Sequence, residues 1–476
     1  MSTLKTFPAA ETATPPPGFW SSVREALRGS HHDYTDGPIG RSILLLSVPM
    51  VLEMAMESVF AVVDIFFVSR LGADAVAAVG LTESVLALVY ALAMGLGIGA
   101  TALVARRIGE KDAEGAAHSA VQAICLALII SAVLGITGSL LAPRLLGAMG
   151  ASPEVIRTGT GYARVMLGGE AAIIVLFVVN AIFRGAGDAA IAMRVLWLAN
   201  LINIVLGPCF IFGLGPFPQL GVTGAAVATT IGRSTGAAFA IWRLTRPDGR
   251  LPVARRHLRP DLGVMGRILR LSGTATLQML IGTASWIGMA RIVATFGSPV
   301  LAGYTVGMRV VVFALLPSFG LSNAAATMVG QGLGAKKPER AEAAVWKACA
   351  YNLVFLGVVG LMFVALAGPI IRVFSTDPEV VRHGSTALRV IAAGFPLYAY
   401  GMVLTQAFNG AGDTWTPTWV NLAVFWVFEI PLAYVLAVPL GMGPLGAFLA
   451  ITAAFSTLAV VSGLLFRRGT WKTKVV

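Results

Sequence analysis

Apolar residues gather into twelve long runs, at about 43–70, 77–105, 118–142, 160–184, 190–214, 220–243, 268–296, 301–330, 343–371, 384–410, 415–439 and 445–466. At 1.5 Å of rise per residue a helix needs about 20 residues to cross a hydrocarbon core of about 30 Å. The pattern therefore predicts an all-α polytopic membrane protein of twelve transmembrane helices. Several runs are longer than a crossing needs and should tilt or bend. Between the sixth and seventh runs the hydropathy breaks at RLTRPDGRLPVARRHLRPDLG, residues 243–263, which holds Pro247, Pro252 and Pro260. This gives a tail at 1–40, a first lobe at 41–243, a basic linker at 244–267, a second lobe at 268–466 and a tail at 467–476.

The two lobes are copies. A shift of 225 residues places Ser47 on Ser272, Gly95 on Gly320, Gly109 on Gly334, Lys111 on Lys336, Glu114 on Glu339 and Pro153 on Pro378. The same shift lays FRGAGD (183–188) on FNGAGD (408–413) without a gap. Six helices per copy is an even number, so both copies enter the membrane from the same side, as in a parallel repeat about the membrane normal. Two pseudo-symmetric six-helix bundles facing a central cleft follow, an arrangement that alternates access by moving one half against the other.

Within the first run, Glu53, Glu57 and Asp64 interrupt an otherwise apolar crossing. Offsets of four and eleven residues hold them within roughly 40° of one another on a helix, spread over about 16 Å of axis. Acids at that depth cost about 2.5 to 3.5 kcal/mol each on insertion scales, so they must look into a cavity, look toward partners, or be protonated. A proton or cation site is the preferred reading, and buried polar contacts between helices the bland one. Pro49 lies one turn before Glu53 on nearly the same face and marks a place for a kink or hinge. The first half also places Glu83, Glu170, Asn180, Asn200 and Asn203 at membrane depth, whereas Gln278, Gly282 and Met289 stand opposite the three acids in the second half. That half keeps Glu429, Gln278, Gln406 and Thr405 as cleft candidates. Glu83, close to a helix end, reads as solvated.

A charged fraction of 12% with a mean hydropathy of +0.80 agrees with a membrane chain. The formal charge of +12 does not indicate nucleic acid, because 25 of the 35 Lys and Arg lie in the tails and even-to-odd connections. That bias places both termini in the cytoplasm. Phe19 and Trp20 ahead of Arg24 and Arg28 suit an interfacial segment, although an unstructured tail fits as well. Cys125, Cys209 and Cys349 lie in apolar runs without metal or disulfide spacing. There is no Walker A sequence and no H-E-x-x-H, and Gly95, Gly97 and Gly99 follow no strand, so ATP, zinc and dinucleotide chemistry lose their usual signatures. The paired G-x-G-D sequences could serve an intramembrane aspartyl protease, but their equivalent places at helix ends favour glycine-permitted turns, with Asp188 and Asp413 capping the helices that follow.

The first-run sequence PMVLEMAMESVFAVVDIFFVSRLG, the GEKD connection at 109–112, FRGAGD, NIVLGPCFIFGLG (203–215), GVTGAAVAT (221–229), FNGAGDTWTP and FWVFEIPLAY (425–434) together resemble the MATE (multidrug and toxic compound extrusion) family over about 40–470. The resemblance implies export of organic, often cationic compounds in exchange for H⁺ or Na⁺ from a bacterial inner membrane. It places the cation-responsive aspartate on Asp64, its supporting asparagines on Asn180 and Asn203, its polar partner on Glu57 and its proline on Pro49; Na⁺, if used, would sit at Asp64, Asn180 and Asn203. One departure is Gly207 in N-I-V-L-G-P, where relatives carry a second aspartate, so that Glu57 or Glu53 would supply that charge. No cofactor or resident metal is expected beyond the coupling ion, and the protein is read as a monomer among membrane lipids.

The function that follows is a secondary multidrug antiporter, not an enzyme. A flippase for lipid-linked precursors is the alternative and an intramembrane enzyme the third reading. Pyrophosphate head groups would call for many Arg and Lys in the cleft, whereas Arg233, Arg291 and Arg309 are few and the acids cluster, which favours cationic cargo.

Overall fold

The computed structural model describes residues 18–29, 32–246 and 249–475; the Pro15–Pro17 run of the tail and Pro247 of the linker lie outside them. A short helix, α1 (Phe19–Arg28), precedes the first crossing. The first lobe comprises α2 (Ile39–Ser69), α3 (Ala73–Gly109), α4 (Ala113–Ala148), α5 (Pro153–Gly168) with α6 (Glu170–Ala186), α7 (Ala189–Phe212) and α8 (Val222–Leu244). The second comprises α9 (Leu262–Ala294), α10 (Ser298–Gly334), α11 (Pro338–Arg372), α12 (Pro378–Ala393) with α13 (Phe395–Gly410), α14 (Trp415–Asn421) with α15 (Ile430–Ala437), and α16 (Pro444–Arg467). Counting each broken helix as one crossing gives the twelve expected. Among the described residues, eight spans are long and apolar enough to cross a membrane by themselves, and the two bent pairs bring ten. The remaining two, α2 and α8, carry the acids and Arg233.

The repeat recurs in local geometry. Ser152 and Asp377, 225 positions apart, cap α5 and α12 by accepting from Val155 N and from Glu379 N and Val380 N. The helices bend by 40° at Gly169 and by 58° at Gly394, again 225 apart. Lys111 (φ 63°) and Lys336 (φ 57°) are the only non-glycine residues with positive φ among the described residues. The copies diverge at Leu422–Glu429, which forms a π-helix between α14 and α15. Pro431, two residues on, has no N–H to continue the regular ladder, a natural place for the register to slip.

Each lobe has its own apolar core, and a third core is shared: Ile43, Leu46 and Met50 of α2 pack with Ala325 and Val329 of α10 and Phe408 of α13. This shared core lies toward the face that carries α1 and the segment after α16, with Ala26, Tyr34 and Trp471 in it. There the lobes meet backbone to backbone. A Cβ on Gly109 would overlap the Gln331 carbonyl, and one on Gly334 would overlap the Arg106 carbonyl. Gln331 Nε2 donates to Gly185 O at 2.9 Å, and Thr327 Oγ1 to Arg184 O at 3.1 Å.

Residues 32–37 form a strap across this closed face. Lys111 of the first lobe bonds Asp33 at 2.5 Å, and Lys337 of the second bonds Asp36 at 2.5 Å. Arg340 donates to the carbonyls of Tyr34, Asp36 and Gly37, while Arg250 of the linker donates to His32 O at 2.9 Å. Asp188 and Asp413 are engaged here too, which corrects the capping expectation. Asp188 stands at the N-cap of α7 without a side-chain cap bond and pairs with Arg250 at 3.5 Å. Asp413 pairs with Lys474 at 3.3 Å and accepts from Thr416 Oγ1 at 2.7 Å. Cations from the linker and tail reach these carboxylates, so long-range charge wins over a local cap.

Candidate functional site

Helix α2 runs unbroken through Pro49 and carries its acids along the inner wall of the first lobe. Each of the lower two finds an arginine. Glu53 Oε1 accepts from Arg184 Nη1 of α6 at 2.7 Å and from Asn180 Nδ2 at 3.2 Å. One turn on, Glu57 Oε1 accepts from Arg233 Nη2 of α8 at 2.6 Å and its Oε2 from Asn200 Nδ2 of α7 at 3.0 Å. Arg233 is further held between Phe60 and Phe177, with ring centroids at 5.2 and 5.8 Å. At membrane depth such pairing is what makes ionised side chains tolerable, since removing one partner of a buried pair costs about 3 to 5 kcal/mol.

Asp64, two turns beyond Glu57, is half-buried, with Glu83 and Arg233 within electrostatic reach. Glu83 itself is exposed and has Arg309 of α10 within reach. The asparagines do not converge on Asp64. Asn180 belongs to Glu53, and Asn203 donates to Thr229 Oγ1 at 2.7 Å. The Na⁺ set of Asp64, Asn180 and Asn203 is thus not assembled in this arrangement, and among the described residues no group of three or more His, Cys, Asp or Glu could hold a metal.

Between the lobes lies a cavity with about 860 Å³ of atom-free space, part of it open to solvent. Its walls are apolar, including Met54, Met94, Phe177, Met279 and Phe319, and its polar points are Thr101, Arg184, Asn323, Gln406 and Asn409. Of the cleft candidates Gln406 reaches it. Gln278, Thr405 and Glu429 do not line it. Gln278 is buried with both amide atoms unpartnered, and Glu429 sits in the π-helix with a buried, unpartnered Oε2 near Tyr304 and Tyr398. Sequence reasoning missed the partners. Arg184 stands in the sequence only as the neighbour of the first G-x-G-D, and Arg233 as one of a few cations within the helices. A lone arginine at mid-membrane is itself a signal, because it requires a counter-charge on a neighbouring helix. The case for cationic cargo rests on clustered acids with few arginines, and two of the three acids on α2 are matched by arginines.

The MatE family model matches residues 49–209 and 275–435, once in each lobe. The probable multidrug resistance protein NorM of Thermotoga maritima is 26% identical over 92% of this chain and 94% of its own. An FAD transporter of Shewanella oneidensis is 27% identical over 84% of this chain and 89% of its own. Among solved structures, a MOP-superfamily transporter from Pyrococcus furiosus, for which a binding pocket of reverse polarity is described, superposes with a TM-score of 0.85 and 28% identity, covering 93% of this chain and 98% of that one.

Proposed function

Because the chain belongs to the MatE family, whose members are membrane transporters rather than enzymes, we propose that it exports organic compounds across the bacterial inner membrane by proton-coupled alternating access. The observation that carries this reading is the double role of Arg184, which lines the cavity between the lobes and pairs with Glu53 of α2. Charge on α2 and occupancy of the cavity are thereby joined through one side chain. The second pair supplies the power step. A proton arriving on Glu57 leaves Arg233 buried without its counter-charge, and Asp64, within reach of Arg233, is the carboxylate to which it can turn. Exchanging Glu57 for Asp64 moves the attachment of α8 along α2 by two turns, and Pro49 below lets α2 follow. Such a switch ties proton binding to the relative population of two lobe arrangements. A single chain carries both halves of the cavity, so a monomer suffices.

The scattered asparagines support H⁺ over Na⁺. The single cationic wall residue weighs against a flippase for pyrophosphate-linked lipids. The test is purified protein in liposomes with an imposed pH or Na⁺ gradient, reading efflux of fluorescent organic dyes of either charge. Wild type should respond to the pH gradient, and Glu57→Gln and Asp64→Asn should each abolish the response while the protein still folds. Wild-type rates in both variants would place coupling elsewhere, and response to Na⁺ alone would remove the proton.

A further inference from the structure

We infer that the central cavity recognises amphipathic organic anions through Arg184, a substrate class that rests on the transport reading above and narrows it. Arg184 is the one ionised side chain among the residues that line the cavity. Its counter-ion stands behind it. The side chain of Glu53 is 2% exposed and that of Arg184 12%, so the pair turns its positive end to the cavity and its negative end into the lobe. The bond to Glu53 uses Nη1, and no other side-chain bond of Arg184 is formed among the described residues. The planar fork therefore keeps donors for a carboxylate, sulfonate or phosphate, the groups it matches best.

The opposite wall has the same polarity. Asn409 Nδ2 donates to Gln406 Oε1 at 2.8 Å, and Gln406 Nε2 donates to Asn323 Oδ1 at 3.1 Å. Gln406 and Asn323 each spend their carbonyl on a neighbour, the Asn409 Oδ1 is buried without a partner rather than turned to the cavity, and the chain ends on the Asn323 amide N–H₂, a donor at the cavity wall. An anion held between Arg184 and Asn323 would lie among Met54, Met94, Met279, Phe177 and Phe319, soft walls that suit an aromatic or aliphatic body. A cation of the same shape would meet a guanidinium and an amide donor, with no carboxylate on the wall. The outer pair is built the other way round, Glu57 being 21% exposed and Arg233 2%, but neither lines this cavity.

The test uses two dyes that share a xanthene frame, anionic fluorescein and cationic rhodamine 123, titrated against the full-length protein in lipid nanodiscs by fluorescence anisotropy at neutral pH. Wild type should bind fluorescein at least tenfold more tightly. Arg184→Gln alone strands Glu53, so the deciding variant is Glu53→Gln with Arg184→Gln, which should lose at least tenfold for fluorescein and with it the preference. Asn323→Leu, away from the ion pair, should weaken fluorescein and leave rhodamine 123 unchanged. Tighter binding of rhodamine 123 by wild type, or a preference that survives the double substitution, overturns the inference. Dye movement in liposomes separates the two readings. Gradient-driven export of rhodamine 123 without fluorescein binding would sink the anion site and keep the exporter. Arg184-dependent fluorescein binding with no gradient-driven movement of either dye would keep the site and sink the exporter.

Discussion

The glycines that let the lobes touch give the sharpest handle on alternating access. Gly109 closes α3 and Gly334 closes α10, 225 positions apart, each against the backbone of the other lobe. A Cβ on Gly109 would lie 2.8 Å from both the Cα and the carbonyl carbon of Gln331, and one on Gly334 would lie 2.9 Å from Glu110 N and from Gly109 Cα. Backbone atoms cannot rotate aside, so the lobes themselves must part. Overpacking of this kind costs about 1 to 3 kcal/mol, and at 1.4 kcal/mol per factor of ten each alanine should shift the balance by roughly 5- to 150-fold toward arrangements in which this face is open. Alanine also gains helix propensity of up to about 1 kcal/mol over glycine. Gly357→Ala, with nothing within 4 Å of its Cβ, measures that gain alone. Spin labels on Glu110 and Glu339, both exposed beside the seam, should show a longer-distance population by double electron–electron resonance in Gly109→Ala and Gly334→Ala, and none in Gly357→Ala. Unchanged distances in both seam variants, with wild-type thermal stability, would mean that the seam does not open and that the rocking mechanism is wrong.

Further outcomes follow from the ion pairs and the strap. Arg233→Gln should lower the melting temperature in detergent by an amount equivalent to about 3 to 5 kcal/mol, and Glu57→Gln with Arg233→Gln should recover much of it. Glu429→Gln should leave gradient-driven efflux intact, because its carboxylate is buried in the second lobe away from the cavity; loss of all coupling there would contradict the first-lobe assignment. Burial raises the Asp33 carboxyl, but the bonds from Lys111 and Thr35 outweigh it and hold the group well below its usual range. Its contribution is therefore present above the ordinary carboxylate value of about 4 and lost as the pH falls through the lower folded value. Hydrogen exchange of residues 32–37 should quicken only in that acid window, and at every pH in Arg340→Ala, which removes the bonds to three strap carbonyls. Lys336→Val should cost about 1 to 2 kcal/mol in stability, since a branched side chain is forced to φ 57°, whereas Lys336→Gly should not.

Much of this architecture is legible in the sequence. Membrane depth writes itself into hydropathy, and a duplicated chain writes its symmetry into spacing, so the twelve crossings and the 225-residue shift need no structure. The single helices expected at 160–184 and 384–410 prove to be bent pairs, because glycine at 169 and 394 permits a break that hydropathy does not register. The acids on α2 were visible as a face. Their partners were not, since Arg184 and Arg233 come from helices 131 and 176 residues away, and a distance of that kind leaves no local pattern. Asp188 and Asp413 misled for the same reason. A cap is a local rule, and Arg250 and Lys474 arrive from elsewhere.

The strap has a consequence for how the molecule is made. Asp36 leaves the ribosome early, yet its partner Lys337 follows 301 residues later. At about 5 to 20 residues per second that interval is roughly 15 to 60 s, during which the strap is held only from the first lobe and the linker, by Lys111 and Arg250. The second-lobe side of the strap, at Lys337 and Arg340, is thus the last to be tied down, and a change to residues 32–37 would act on the docking of the second lobe more than on insertion of the first.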